Sequence, residues 1–378
     1  MPYGRCILWI CLQLEYLTKA KVIMTNINQS FNRILVIKLQ HHGDMLLTTP
    51  VICSLKSAYP NATIDVLLYK ETLPMLEHNP LINHIFYLDR NWKHQGKLTR
   101  LKKEWELGRT LQKQQYDLVV NLADQWKAAI FALLTKAKTR LGFEFEKRKD
   151  SQFWQTCHNI IISTADHGQL HTVEQNLSIL TPLNIPIISD VMMAYSEADK
   201  QWLAETIEKY HLPKNYIVIQ PTSRWFFKCW DEDKIATLIT KLQQSHYSIV
   251  LTSGPEAKEL EMIETILTQC PNKEMITVLA GQTSLSQLAV LIDNAGLFIG
   301  VDSVAMHMAA ALKTPLVALF GPSKLEHWHP WQAIGETIWA GDYDDIPHPD
   351  HIKTDTQQRY LSAIPVDVVY NTAIRHLS

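Results

Sequence analysis

The sequence predicts an α/β protein made of two doubly wound, Rossmann-like domains. Three observations carry this expectation. Short β-branched runs alternate with amphipathic stretches of helical length from residue 33 onward. The alternation pauses at a proline-bearing stretch, TPLNIPIIS (181–189), then restarts with the same order of elements and an unrelated sequence. The length of 378 residues suits two domains at about 150 residues each.

Each element follows from its pattern. RILVIKL (33–39) reads as a buried strand and MLLTTPVICSLKSAY (45–59) as a helix. ATIDVLLY (62–69) and HIFYL (84–88) are further strands; the basic segment 92–115 carries helical spacing. YDLVVNL (116–122) is a strand, QWKAAIFALLTK (125–136) a helix and TRLGF (139–143) a strand. In the second half YIVIQ (216–220), YSIVLTS (247–253), MITVL (275–279), GLFIGV (296–301) and PLVALF (315–320) are strands, with a helix at 231–244 and a last one at 365–377. Strands joined by helices of this length form parallel, right-handed βαβ units. Ligands of such folds bind where strand ends and helix N-termini converge, so the two sheets are expected to face each other across a cleft. The expected divisions are an N-terminal extension (1–24), a first domain (25–185), a second domain (186–364) and a closing helix (365–378). CILWICLQL (6–14) is well short of the roughly 20 residues that span a bilayer. Met24, just ahead of the first strand, is the expected natural start.

With 46% hydrophobic and 20% charged residues, the chain is no collagen, disordered tail or disulfide scaffold. A net charge of −2 argues against a uniformly basic nucleic-acid binder, and no nucleic-acid partner is expected. The balance is uneven, however. Residues 25–185 hold 19 Lys and Arg against 14 Asp and Glu, whereas 186–378 hold 14 against 23. Arg90, Lys93, Lys97, Arg100, Lys102, Lys103, Arg109 and Lys113 stand close together with only Glu104 and Glu106 among them. Such a run is either a solvated helix face or a surface for an anionic partner, a membrane leaflet in particular. The six cysteines, at 6, 11, 53, 157, 229 and 270, make no C-x-x-C pair and no zinc spacing. Scattered thiols fit a reducing compartment, and a cytoplasmic location is expected.

Three strand ends carry candidate chemistry. QHHGDMLLTTP (40–50) has Gly43 alone for a tight turn, so the dinucleotide fingerprint is absent. Asp44 is either a helix N-cap or a carboxylate placed to take a proton from a hydroxyl. PTSRWFFKCWDEDK (221–234) offers Thr222, Ser223, Arg224 and Lys228, which either belong to a solvated loop or hold a diphosphate. GVDSVAMHMAAAL (300–312) sets Asp302 and Ser303 at a turn ahead of a helix, whose N–H groups suit an anion; His307 lies one helical turn beyond Ser303. No metal-ligand cluster and no phosphate-cradling Walker loop stands in the sequence.

These residues give the chain its resemblance to a known family. RILVIKLQHHGDMLLTTPVICSLKSAYPNATIDVLLY (33–69), PTSRWFFKCW (221–230), TSGPEAKE (252–259) and GVDSVAMHMAAALKTPLVALFGPS (300–323) are similar to bacterial ADP-heptose:lipopolysaccharide heptosyltransferases, glycosyltransferase family 9. HHGDMLLTTP and RWFFKCW resemble the type III branch of that family. The resemblance implies a GT-B fold and inverting, metal-independent transfer of heptose from ADP-L-glycero-D-manno-heptose to an inner-core heptose, with no cofactor. It implies Asp44 as general base, Lys228 at the leaving ADP, and Thr222, Ser223 and Arg224 at the phosphates. Glu256 would lie near the ribose; Asp302, Ser303 and His307 would form the donor turn, with Asp302 towards the heptose. Arg90, Lys93, Lys97, Arg100, Lys102 and Lys103 would face the lipopolysaccharide acceptor or the cytoplasmic leaflet of the inner membrane, where the protein would be peripheral. Transfer by a type I or II enzyme, and a non-catalytic sugar-nucleotide-binding protein of the envelope, are the alternatives. Val304 departs from the family's usual glycine after the Asp-Ser pair.

Overall fold

In the computed structural model, residues 29–377 are described, and every strand pairing among them is parallel. The extension at 1–24 and the start at Met24 lie outside the described residues. The first sheet contains β1 (Arg33–Ile37), β2 (Thr63–Tyr69), β3 (His84–Leu88), β4 (Leu118–Asn121), β5 (Thr139–Glu144) and β6 (Ile160–Ser163). Their spatial order is β3-β2-β1-β4-β5-β6. The second contains β7 (Ile217–Gln220), β8 (Ile249–Leu251), β9 (Ile276–Val278), β10 (Leu297–Val301), β11 (Leu316–Phe320) and β12 (Gly335–Trp339). Its order is β12-β11-β10-β7-β8-β9. Counted from its own first strand, each sheet has the same doubly wound order, with one reversal: between β1 and β4, and between β7 and β10.

The central strands are short aliphatic runs because both their faces are covered. β4, β7, β10 and β11 are buried along their whole length. Under the first sheet Leu35, Ile37, Leu67, Val119, Phe131 and Ala132 form a core; under the second Ile219, Trp230, Ile239, Leu251, Ile299 and Leu319 form another. Residues 29–41, 48–73 and 80–189 group as one unit, and 42–47, 74–79 and 190–377 as the other. The last helix, Val366–Leu377, packs on β10, β11 and β12 of the second unit.

Several elements differ from their expected form. The single helix expected at 45–59 is two, His42–Leu46 and Thr49–Ala58, with Pro50 in the first turn of the second. Proline lacks the N–H a continuous helix would need and suits a helix start. The basic segment is likewise broken into a 3₁₀ turn, Arg90–Gln95, and a helix, Lys97–Lys113. Gly96 between them has φ +91°, a conformation that costs glycine little. Two strands escaped the sequence reading. β6 is only IIIS, and β12, GETIW, opens on Gly335 at φ +134°; both are edge strands, half-exposed and too short for a period to register. The helix Glu197–Tyr210 was also missed, although Ser196 and Asp199 form its capping box.

Among the described residues no helix is long and apolar enough to cross a membrane. Cys53, Cys157, Cys229 and Cys270 are buried.

Candidate functional site at the second switch point

The sheet order brings the ends of β7 and β10 side by side, with Gln220 beside Gly300 in register. Both chains therefore leave the sheet at the reversal, where crossovers depart in opposite directions and leave a crevice. Thr222 and Ser223 follow β7; Asp302 and Ser303 follow β10. All but the half-buried Ser303 are buried.

The buried polar groups at this reversal form two linked arrangements. Lys228 Nζ donates to Asp302 Oδ2 at 2.5 Å, and Ser323 Oγ donates to the same oxygen at 2.5 Å. The ammonium also stands 4.8 Å from the centre of the Trp225 ring, which stacks on Phe227. A short 3₁₀ turn, Phe226–Lys228, and the burial of Phe227 and Trp230 hold the lysine inward. The lysine and aspartate picked out separately in the sequence are thus one ion pair, nearly enclosed, with attraction far stronger than on the surface. Ser223 Oγ donates to the Asp302 carbonyl at 3.2 Å, tying the β7 loop to the β10 loop. Its N–H points to Cys229 Sγ, and burial pushes that thiol up to about 11.

The second arrangement centres on a carboxylate that the sequence reading did not select. Glu259 Oε2 accepts from Thr222 Oγ1 at 2.5 Å and from Gly254 N at 3.0 Å. Glu259 is buried, whereas Glu256, the acid chosen from TSGPEAKE, is exposed at the N-cap of the helix Ala257–Gln269. Helical spacing marks both acids as candidates without saying which is enclosed. Glu259 is the third residue of that helix, where a side chain reaches back over the preceding loop. Ser323, beyond β11, had no comparable signal because its partner is 21 residues away. Arg224 is exposed.

At the start of the helix Val304–Leu312, Ser303 is the N-cap but makes no side-chain capping bond. Its Oγ is buried without a hydrogen-bond partner, and so is Nδ1 of His307. Buried polar atoms normally find partners; these two, with Trp230 Nε1 in the β7 loop, do not. His307 is 4% exposed. Burial is the main reason its pKa falls to about 4, with Lys228 and His329 adding to the drop and Asp302 opposing it. The ring is therefore neutral at physiological pH. It lies 6.3 Å from Trp328, centre to centre. Val304 occupies the first helical position and is half-exposed.

The helix His42–Leu46 groups by its contacts with this same unit and packs on the helix Val304–Leu312. A Cβ at Gly43 would approach His307 Cδ2 to 3.3 Å. A methyl there would press the ring by a few tenths of an ångström; the φ of Gly43 is not in the left-handed region. Asp44 is half-buried and is the third residue of the helix, where the sequence had placed it at the N-cap. The six basic candidates Arg90, Lys93, Lys97, Arg100, Lys102 and Lys103 are not part of this site. They lie on the 3₁₀ turn and helix after β3, in the first unit. Arg90 pairs with Glu71 at 3.1 Å and covers the Tyr69 ring; Arg100 pairs with Glu104 at 2.9 Å. No cluster of three or more His, Cys, Asp or Glu side chains suited to a metal ion occurs among the described residues.

Known proteins resemble this chain in sequence and in fold. Lipopolysaccharide heptosyltransferase 3 of Escherichia coli K12 is 41% identical over 332 residues, which cover 88% of this chain and 94% of that one. The structure of a family 9 glycosyl transferase from Veillonella parvula has a TM-score of 0.79 at 23% identity, covering 93% of this chain and 99% of that one. That of Escherichia coli ADP-heptose lipopolysaccharide heptosyltransferase II has a TM-score of 0.72 at 24% identity, covering 91% and 98%. Both likenesses are of fold, the GT-B arrangement of two doubly wound domains. The family description glycosyltransferase family 9 (heptosyltransferase) matches residues 104–360, a span that includes the whole β7–β10 reversal and begins after Asp44. The chain belongs to glycosyltransferase family 9, the heptosyltransferases.

Proposed function

We propose that the chain transfers heptose from ADP-L-glycero-D-manno-heptose to an inner-core heptose of lipopolysaccharide, with inversion, as a type III core heptosyltransferase. The observation that carries this reading is the 41% identity to lipopolysaccharide heptosyltransferase 3 across nearly its full length. The chemistry at the β7–β10 reversal agrees with it.

The donor's diphosphate is an anion that must leave. Lys228 pairs with Asp302, two residues before the helix start at Val304, and helix N–H groups complement negative charge. In the structure Lys228 is held by Asp302. On donor binding the diphosphate competes for that ammonium, and Asp302 is then available to heptose hydroxyls. Thr222 and Ser223 line the phosphates and Arg224 closes from the exposed side, while Glu256 reaches the ribose. Ser303 Oγ and His307 Nδ1, buried and without partners, supply hydrogen-bonding capacity that the donor satisfies. A neutral His307 adds no positive charge, so the leaving-group charge falls on Lys228 and the helix terminus.

Asp44 takes the proton of the acceptor hydroxyl as its oxygen attacks the anomeric carbon. The anomeric C–O bond to phosphate breaks as the new C–O bond forms on the opposite face, and ADP departs as the anion. Because ADP is a good leaving group, no second carboxylic acid is required, unlike in glycoside hydrolysis. With ammonium and N–H groups meeting the diphosphate, the reaction needs neither metal nor cofactor, and EDTA should leave the rate unchanged. The acceptor is lipid-linked, which puts the work at the cytoplasmic leaflet of the inner membrane.

Incubation with ADP-heptose and core lipopolysaccharides truncated at successive sugars, read by mass spectrometry, tests the proposal. The expected result is a single added heptose only when the second inner-core heptose is present. Addition to a core lacking that heptose would reassign the acceptor, and ADP-heptose binding without product from any core would leave only a binding protein.

A further inference from the structure

The first unit carries an apolar surface for which the β7–β10 site has no use. The helices that follow β3, β4 and β5 are Lys97–Lys113, Trp126–Leu134 and Gln152–Cys157. In a sheet ordered β3-β2-β1-β4-β5-β6, right-handed crossovers put all three on one face. They pack side by side, the middle helix touching both others.

The outer side of a helix layer is ordinarily polar. Here Leu98, Leu101 and Trp105 are 84%, 61% and 58% exposed, and their spacing puts them on one stripe. Trp126, Ile130 and Leu134 make a second exposed stripe, and the exposed Phe153 lies 5.8 Å from the Trp126 ring. The stripes border one seam. Across it Lys127 reaches Glu104 at 2.5 Å, and a Cβ on Gly108 would come within 2.8 Å of Leu134. Seven of the eleven exposed large hydrophobics among the described residues stand on these three helices. Isolated exposed leucines are ordinary, but a gathered set marks an interaction surface.

The charge around the stripes identifies the partner. Residues 90–149 hold 15 Lys and Arg against 6 Asp and Glu, whereas the remainder of 25–185 holds 4 against 8. The basic excess of the first half therefore belongs wholly to this layer and its loops. Arg109 stands 4.7 Å over the Trp105 ring and Arg148 4.6 Å over Trp126. Tryptophan favours the water–hydrocarbon boundary, and long cationic side chains beside it reach phosphates. Apolar stripes carrying tryptophan and ringed by cations match an anionic bilayer on both counts, apolar contact and charge.

We propose that these three helices form a docking face that seats the chain on an anionic phospholipid surface. Leu98, Leu101, Trp105, Trp126 and Phe153 enter the headgroup–acyl boundary, and the surrounding Lys and Arg side chains hold lipid phosphates. The face deepens the reading of a lipid-linked acceptor and gives that reading a place on the molecule.

The test is co-sedimentation of the full chain with phosphatidylcholine vesicles and with vesicles that also contain phosphatidylglycerol. Wild type is expected to sediment with the anionic vesicles and to be released by salt. The double variant Leu101→Glu, Trp105→Glu is expected to partition at least about tenfold more weakly, from loss of two apolar contacts and addition of two like charges. Circular dichroism melts of the variant should match wild type, because both side chains are exposed. Transfer to a deacylated, water-soluble acceptor should be unchanged in the variant, while transfer to acceptor embedded in vesicles falls. Equal vesicle binding by wild type and variant would overturn the proposal. So would a wild-type dimer in sedimentation velocity that the variant dissolves, since a second copy would then be the occupant. Vesicle binding is read without turnover, so failure of wild type to transfer heptose to either acceptor counts against the proposed reaction alone.

Discussion

The two sheets have the same strand order and reach their reversal in the same way, yet the buried polar groups near the two reversals are handled differently. In the first unit most are satisfied by the protein, Gln125 Oε1 being an exception. Lys38, just past β1, donates to the Leu122 carbonyl and to Asn176 Oδ1. Asp65 in β2 accepts from Tyr116 and Asn83. His158 donates from Nδ1 to the Trp154 carbonyl at 3.0 Å and accepts at Nε2 from Asn121 Nδ2 at 2.9 Å. In the second unit Ser303 Oγ and His307 Nδ1 are buried without partners, and a nearly enclosed lysine is held by an aspartate.

The two histidines show the difference most cleanly. Burial lowers the pKa of both to about 4, so titration alone does not tell them apart. What separates them is whether the neutral ring has its hydrogen bonds. A satisfied ring belongs to the architecture; an unsatisfied one in the same state of burial keeps bonding capacity for something else.

Substitutions can break this contrast, and the largest effect is expected at Asp44. Asp44→Asn should lower turnover by about 10²–10⁴-fold, the usual range for a lost general base, with ADP-heptose binding by calorimetry retained. Near-normal turnover would remove the base from the proposed mechanism. Lys228→Met comes next, with about 10²-fold slower transfer and weaker donor binding together. If the response to donor concentration does not change, the ammonium does not meet the diphosphate.

The histidines sharpen the comparison directly. His158→Leu strips Asn121 and the Trp154 carbonyl of their partner, and should cost about 2 kcal/mol of stability by chemical denaturation with activity per folded molecule unchanged. His307→Leu should leave stability within about 1 kcal/mol and weaken donor binding by about tenfold. The opposite pattern would reverse the assignment of which unit is architectural.

Both rings also set an acid limit. An unfolded histidine takes a proton near pH 6.5, whereas these native rings resist it until about pH 4. Each contributes stability that is full above about 6.5 and is lost as pH falls towards 4. Thermal melts across that window should decline for wild type and flatten when both are replaced by leucine; an unchanged slope would mean that neither ring resists protonation. The smallest effect is expected from Gly43→Ala. Its methyl would press His307 Cδ2 at 3.3 Å, and a few-fold rise in KM for the donor with stability nearly unchanged would register the contact.

Much of this was legible in one dimension because it rests on local physics. Continuous aliphatic runs and amphipathic stretches are set by each segment's own residues, so the central strands and the order of the two halves could be read directly. Asp44, Thr222, Lys228, Asp302 and His307 stood out because a strand-to-helix turn of polar residues is itself a local pattern. Edge strands β6 and β12 were lost for the converse reason: β6 is only four residues with no alternation, and β12 has just Ile338 and Trp339 as apolar positions.

What only the tertiary structure decided depends on pairing across long separations. Lys228 and Asp302 are 74 residues apart, and Thr222 and Glu259 are 37 apart. No spacing rule joins them; the parallel pairing of β7 with β10 and with β8 does. Burial was equally out of reach, since a helical pattern cannot say whether Glu256 or Glu259 will be enclosed, or that Leu98, Leu101 and Trp105 will face outward. The charge imbalance between the halves was visible in the residues alone. That it gathers around an exposed apolar helix layer became visible only when three crossovers laid their helices on the same face of one sheet.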